Sequence, residues 1–234
     1  MTLTRNTSCP AKDVNGGDLM RTWYSLRNQQ TRKLPAQFQD YDDIRYTEGL
    51  VELFVQEFTQ EGDVIFDPFA GFGTTLFVAE SLGRRGFGLE YDADRADYIR
   101  HHLRAPDRLI HGDARQLETY AFPCFDLSMT SPPYMYYGNP TNPFTAYTTE
   151  GQGYEAYLRD LQHIYRQMKT VMNPGAHVVL EVANLKHENT VTTLGWDIGK
   201  AIGEILTFCG EIIVTWDVHP HGYDHSYCLV FTTP

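Results

Sequence analysis

Two short stretches carry residues whose types and spacing could do chemistry. The first is Asp67-Pro68-Phe69-Ala70-Gly71-Phe72-Gly73-Thr74-Thr75, an acid followed by a pair of glycines. Gly71 and Gly73 permit a sharp backbone bend and let a ligand come within contact distance of main-chain N–H groups. A turn of this kind can serve a nicotinamide dinucleotide, a flavin or adenosylmethionine. Two details narrow the choice. Leu76 stands where the dinucleotide fingerprint has its third glycine, and Asp67 would repel a pyrophosphate but can accept from an ammonium group. Two further acids end apolar runs, Glu90 in GLEYD and Asp113 in HGDAR. Glu90 can accept from ribose hydroxyls and Asp113 from an adenine amino group; the plainer alternative for each acid is a helix cap or turn.

The second stretch is Thr130-Ser131-Pro132-Pro133-Tyr134. Two prolines fix the backbone torsions and donate no N–H, so the corner is stiff and presents carbonyl oxygens. Such a corner suits an amino group on an aromatic ring, whose lone pair is delocalised and poorly nucleophilic. Hydrogen bonds from that amino group to the Ser131 hydroxyl and the Pro132 carbonyl would favour a pyramidal, attacking nitrogen. Tyr134 could stack on the ring once it has left a helix stack, worth about 1–3 kcal/mol.

Both stretches need a scaffold that brings strand ends together. Short apolar runs alternate with helical segments from DVIFDPF onward, a pattern that predicts a mostly parallel sheet with helices on both faces. Strands are expected at DVIFDPF, GFGLEYD, RLIHGD, FDLSMTSPP and AHVVLEVAN. Helices are expected at Leu50 to Phe58, from Thr74 to Leu82, over ADRADYIRHHL, over YEAYLRDLQHIYRQMKTVM and from Leu194 to Phe208, with Asn173-Pro174-Gly175 stopping the fourth. EIIVTWDV and SYCLVFTT, joined by HPHGYDH, predict a closing antiparallel hairpin and bring the expected sheet to seven strands. Residues 1–33 are expected to be a flexible leader with a basic island at Arg27, Arg32 and Lys33, and residues 34–234 one domain.

Composition bounds the rest. With 234 residues, 42% hydrophobic and 21% charged, the chain fits one large domain and contains no run of apolar residues long enough to cross a membrane. A cytoplasmic location is the expectation, with no membrane partner. Cys9, Cys124, Cys209 and Cys228 form no CxxC pair, which predicts reduced thiols and no zinc site; His219, His221 and His225 are expected at the surface, and no metal is expected. The net charge of -11 means that a polyanion must be met by a local basic patch or by a partner, and a protein partner or a homodimer is among the expectations.

FDPFAGFGTT and TSPPY together resemble the cofactor and catalytic motifs of the S-adenosylmethionine-dependent amino-methyltransferases that make N4-methylcytosine or N6-methyladenine in DNA, with related RNA enzymes. The resemblance implies a Rossmann-like methyltransferase fold and S-adenosylmethionine as cofactor. It implies that Asp67, Gly71 and Gly73, with neighbouring Phe69 and Thr74, hold the methionine moiety. It assigns Glu90 and Tyr91 to the ribose region and Asp113 and Ala114 to the adenine. Ser131, Pro132, Pro133 and Tyr134 would hold the target base. More loosely, RKLPAQFQDYDDIRYTEGLVELFV resembles the segment that closes over the methionine end, with Tyr46 and Thr47 as contacts. Phe72 departs from the family's usual serine between the glycines. Serine at the head of SPPY is commoner in the cytosine-N4 branch, which favours cytosine in DNA over adenine N6 or structured RNA.

The cofactor motif precedes the catalytic motif without room for a target-recognition domain between them. Substrate selection is therefore expected from YMYYGNPTNPFTAYTTEGQGY and from the basic segment. A cytosine carbon-5 enzyme would need a cysteine where Tyr134 stands. A small-molecule methyltransferase suits the acidic charge, and a non-catalytic cofactor-binding subunit is a further alternative; intact SPPY weighs against both.

Overall fold

The computed structural model describes residues 21–38, 45–145, 153–187, 189–218 and 224–233. Its frame is an eight-stranded sheet in the order β1-β9-β10-β6-β5-β2-β3-β4. The strands are β1 (Trp23–Leu26), β2 (Val64–Asp67), β3 (Arg85–Glu90), β4 (Leu109–His111), β5 (Phe125–Thr130), β6 (Met172–Val182), β9 (Thr207–Trp216) and β10 (His225–Thr232). A separate two-stranded hairpin is formed by β7 (Leu185–His187) and β8 (Thr190–Thr192). From β4 to β6 the strands are parallel, whereas β10 runs antiparallel between β6 and β9. The expected mixed sheet with a closing hairpin is therefore present.

Side-chain alternation builds a core on each face. On β2, Val64 and Phe66 face one cluster and Ile65 the other. The first cluster is covered by α4 (Tyr154–Lys169) and α5 (Leu194–Gly203). On α4, Tyr157, Leu161, Ile164, Tyr165 and Met168 recur at helical spacing and are fully buried. The opposite face is covered by α1 (Glu48–Phe58) and α2 (Thr74–Ser81). Thr47 sets the start of α1, its hydroxyl accepting from Leu50 N at 3.3 Å. A third cluster joins α2 and α3 (Ala93–His102) to Leu34 and Phe38.

Several expectations are corrected. The sheet has eight strands, not seven, because Trp23–Leu26 of the supposed leader pairs in parallel with β9, from Trp23↔Ile213 to Leu26↔Trp216. Four residues are too few for a periodic signal, and the strand is held by main-chain pairing at the sheet edge. Residues 1–20 of that leader lie outside the described residues. The last helix stops at Gly203, and Thr207 to Gly210 belong to β9, where a register shift opposite Val230 and Phe231 accommodates Gly210 at φ 140°. Asn173, Pro174 and Gly175 lie within β6 rather than ending a helix. Cys228 is buried and free and Cys124 exposed and free, but Cys209 is disulfide-bonded, so the thiols are not all reduced. His219 and His221 fall outside the described residues; His225 opens β10, its Nδ1 2.9 Å from Asp224 Oδ1. No described helix is long and apolar enough to cross a membrane.

Candidate active site

The order of strands decides where a ligand can sit. From β2 the chain winds outward through β3 and β4, then crosses back to place β5 on the other flank of β2. The carboxyl ends of β2 and β5 therefore border the point where the winding reverses, the crevice in which open α/β sheets hold ligands. Ile65↔Leu127 and Phe66↔Ser128 are in register, so the glycine bend after Asp67 and the double-proline corner after Thr130 leave the same sheet edge from adjacent strands. Thr75, in the first turn of α2, ties the two, its hydroxyl donating to Met129 O at 3.3 Å.

The glycine bend is fixed from within. Ala70 N donates to Leu89 O at 2.8 Å and Gly73 N to Ala70 O at 2.7 Å. Gly71 and Gly73 have φ of 56° and 82°, a region side chains rarely tolerate. A Cβ on Gly73 would lie 3.0 Å from both Ile99 and Phe77, whereas one on Gly71 would have only Phe69 O near it, at 3.9 Å. Gly73 is thus packed shut and Gly71 is open to an approaching ligand. Thr74 is buried at the start of α2.

Three acids stand on neighbouring strand ends, in different states. Asp67 is 1% exposed. Its Oδ1 accepts from Phe69 N at 3.0 Å and its Oδ2 from the Tyr46 hydroxyl at 3.1 Å, which also contacts Thr75 Oγ1. These donors are neutral, and burial pushes the Asp67 carboxyl above its usual range. A buried carboxylate with no cation among its described partners is suited to a ligand ammonium. Glu90 is 7% exposed; Oε2 accepts from Gly71 N at 2.7 Å and Oε1 from Asp92 N at 2.9 Å, and burial raises its pKa to about 7. Each carboxylate oxygen keeps a further lone pair for a hydroxyl. Asp113 takes the plainer alternative. It caps the 3-10 turn Ala114–Thr119, accepting from Arg115 N at 2.9 Å, and pairs with Arg115 Nη2 at 2.7 Å. An adenine contact would have to share that carboxylate.

Other expected positions are also accounted for. Tyr46 is brought to Asp67, while the Thr47 hydroxyl is engaged as a helix cap. Phe69 packs on Phe144, centroids 5.4 Å apart, and Phe144 stacks on Tyr157 at 5.3 Å. Tyr91 is exposed, and its carbonyl lies 3.0 Å from His111 Nε2. Ala114 is buried. Phe72 turns into the third core cluster, 5.1 Å from Phe38 and beneath the Arg95 guanidinium at 4.8 Å. The departure from serine therefore builds packing behind the bend. Arg32 of the basic island likewise covers Phe77 at 4.0 Å, while Lys33 is exposed.

The double-proline corner is held from outside. Pro133 O accepts from the Tyr157 hydroxyl of α4 at 2.8 Å. The Tyr134 hydroxyl donates to Glu181 Oε2 of β6 at 3.1 Å. Burial first, then the Glu181 charge, push the Tyr134 phenol well above its ordinary value, so it keeps its proton. Pro132 is buried, and Ser131 is partly exposed at the mouth of the corner. Downstream, Tyr137 N donates to Thr192 Oγ1 at 2.8 Å, the Tyr137 hydroxyl to Asp197 Oδ2 at 2.9 Å, and Tyr136 stacks on His187 at 4.2 Å. Hairpin β7–β8 thereby lines the loop expected to select substrate, of which residues 146–152 lie outside the described residues.

A family model for N6 and N4 methyltransferases, described as DNA methylase, matches residues 5–101. The type II methyltransferase M2.DpnII of Streptococcus pneumoniae is 33% identical over 99 residues, 40% of this chain and 34% of that protein. The DNA adenine methyltransferase YhdJ of Escherichia coli is 31% identical over 98 residues, 37% of this chain and 32% of that protein. These matches support an N4/N6 amino-methyltransferase family, the family model covering residues 5–101, less than half of this chain. The chain spans about a third of the length of these curated relatives. Among solved structures, TrmN from Thermus thermophilus superposes with a TM-score of 0.54 at 20% identity, covering 80% of this chain and 49% of that one. A methyltransferase from Pyrococcus furiosus gives 0.55 at 16%, covering 82% and 86%. These likenesses show the Rossmann-like methyltransferase fold.

The family match ends in α3, so the site residues beyond it rest on geometry. Thr75, Tyr157 and Glu181 also contact the candidate site, and sequence alone does not single them out. Glu181 alone had a visible signal, an acid inside the apolar run VVLEV.

Proposed function

We propose that this chain transfers the methyl group of S-adenosylmethionine to the exocyclic amino nitrogen of a nucleobase, with cytosine N4 in DNA as the first target. The observation that carries the reading is the placement of the glycine bend and the SPPY corner on adjacent strand ends at the winding reversal, with Asp67 buried between them among neutral donors. When bound, S-adenosylmethionine supplies a methyl group on a positively charged sulfur. Asp67 is the acceptor suited to its ammonium group, Glu90 to its ribose hydroxyls, and the open side of Gly71 to close approach of its main body. Asp113 can join as an adenine acceptor alongside Arg115.

On the other side, Ser131 and the Pro132 carbonyl take the amino group, and the ring of Tyr134 takes the base. The prolines keep the acceptors in place so that little ordering remains when the base arrives. Adenine N6 is the second reading, supported by the relative named a DNA adenine methyltransferase.

The test is radiolabelled methyl transfer by the purified chain to duplex DNA, single-stranded DNA and total RNA, with the product nucleosides separated by mass spectrometry. Label on N4-methylcytosine in DNA is expected. Label on N6-methyladenine would move the target within the family, and label confined to RNA would move the substrate. Label only on carbon-5 of cytosine, or only on a metabolite, would reject the amino-nitrogen reading.

A further inference from the structure

Glu181 is the buried acid of the catalytic side. It lies one residue from the carboxyl end of β6 in the run Val178-Val179-Leu180-Glu181-Val182, and every neighbour in that run is fully buried. Leu180 pairs with Thr130, so Glu181 stands level with Ser131; on its other side it pairs with buried Cys228. At 9% exposure its carboxylate has given up most of its water, which is unfavourable unless hydrogen bonds replace it. An apolar residue would avoid that cost, so the reason for an acid lies in what it holds. Among what it holds is the Tyr134 hydroxyl, 3.1 Å from Oε2 and 3.4 Å from the Glu181 main-chain oxygen. The phenol stays protonated and donates, because burial and the carboxylate charge both oppose its ionisation.

We propose that Glu181 is a positioning residue that tethers the Tyr134 ring in the plane in which it receives the target base, an inference that rests on the amino-methyltransferase reading above. Pro133 fixes the main chain just before Tyr134, and Tyr157 fixes the Pro133 carbonyl. Those contacts leave the Tyr134 side-chain torsions to be set. A ring anchored at both its Cα and its hydroxyl has one orientation; a ring anchored only at Cα samples several, and the base stacked on it presents its amino group to Ser131 and Pro132 for a smaller fraction of the time. The tether acts on the approach of the base.

The experiment compares Glu181→Ala, Glu181→Gln, Tyr134→Phe and the double variant Tyr134→Phe/Glu181→Ala, using the nucleic acid that the wild-type chain labels best. Turnover, S-adenosylmethionine affinity by calorimetry and melting temperature are measured on each. Losing a hydrogen bond to a charged group should lower turnover about tenfold in Glu181→Ala and equally in Tyr134→Phe, with the double variant no worse than either. Glu181→Gln, which keeps an acceptor, should recover most of the turnover, and cofactor affinity should be the same in all four. Tyr134→Phe keeps the carboxylate and the packing, so it reports on the tether even if Glu181→Ala does not fold. Losses that multiply in the double variant, a Glu181→Gln variant as slow as Glu181→Ala, or a drop in cofactor affinity would each overturn the tether. Turnover of Tyr134→Phe equal to wild type would do the same while leaving the methyltransferase reading intact. A wild-type chain that binds S-adenosylmethionine but labels no nucleic acid would remove both.

Discussion

At the end of β2 the chain is held by its own acids: Glu90 accepts from Gly71 N, and Asp67 accepts from Phe69 N. At the end of β5 it is held by prolines and by groups reaching in from other elements, Tyr157 from α4 and Glu181 from β6. The cofactor side is thus held largely through buried carboxylates, whereas the catalytic side is stiffened by ring closure and buttressed by side chains from α4 and β6. The difference suits the two ligands. On the proposed reading, a cofactor carrying positive charge would be met by buried carboxylates, and a neutral base by neutral acceptors and a ring.

The sharpest way to separate the two sides is Ser131→Ala. Ser131 is the proposed hydroxyl acceptor of the amino group, so turnover should fall about 100- to 1000-fold, as when a preorganised polar group is removed from a reacting centre. Binding of S-adenosylmethionine, measured by calorimetry, should not change. A parallel loss of cofactor affinity would mean that the two corners are not independent. The reciprocal change is Asp67→Asn, which keeps size and loses charge. Cofactor affinity should fall about 10- to 100-fold, the value of a hydrogen bond between charged partners. The melting temperature of the ligand-free chain should not fall, because burial already disfavours the Asp67 charge. An Asp67→Asn variant that melts earlier but binds as wild type would assign the acid to the fold instead.

Glu90 makes the comparison a matter of pH. Burial raises its pKa from 4.5 to about 7 in the folded chain. Because the folded form binds the proton more tightly than the unfolded form, this group's contribution favours folding below pH 4.5 and is lost as pH rises toward 7, about 3 kcal/mol in all. Ribose hydroxyls need the ionised carboxylate, so cofactor affinity should run the other way, rising about tenfold per pH unit up to about 7 and then levelling. Glu90→Gln should flatten both profiles in titrations and melting curves. A cofactor affinity independent of pH in the wild type would remove Glu90 from the ribose.

The same contrast explains what sequence could reveal. Asp67, Glu90 and the glycine bend are contiguous with the strands that carry them, so type and spacing were enough to expect them at the strand ends where they lie. SPPY was legible for the same reason. Its supports were not, because Tyr157 and Glu181 lie on elements that reach the corner only after the sheet has closed, and Tyr157 has the spacing of an ordinary core residue on α4. Phe72 and Arg32 were open to reading as site residues; the packing that turns them toward Phe38 and Phe77 depends on where residues 31–38 lie against α2 and α3. Asp113 could be a cap or an adenine acceptor by type alone, and only Arg115 decides how much of its carboxylate is engaged. The short strand β1 and hairpin β7–β8 have too few residues for periodicity to register.

The smallest expected effect tests whether the catalytic side is in fact braced from afar. Tyr157→Phe removes one hydroxyl from a fully buried ring and leaves its stacking on Phe144 in place. The Pro133 carbonyl loses its 2.8 Å partner. Stability should fall by about 1 kcal/mol, the usual net worth of such a bond, which denaturant melts resolve. Turnover should fall a few-fold, since a loosened Pro133 shifts Ser131 and Tyr134 together, and cofactor affinity should hold. Loss of stability without loss of turnover would show that the prolines alone keep the corner rigid and that the brace serves only the fold. Loss of turnover without loss of stability would show the reverse, and would make α4 part of the catalytic apparatus.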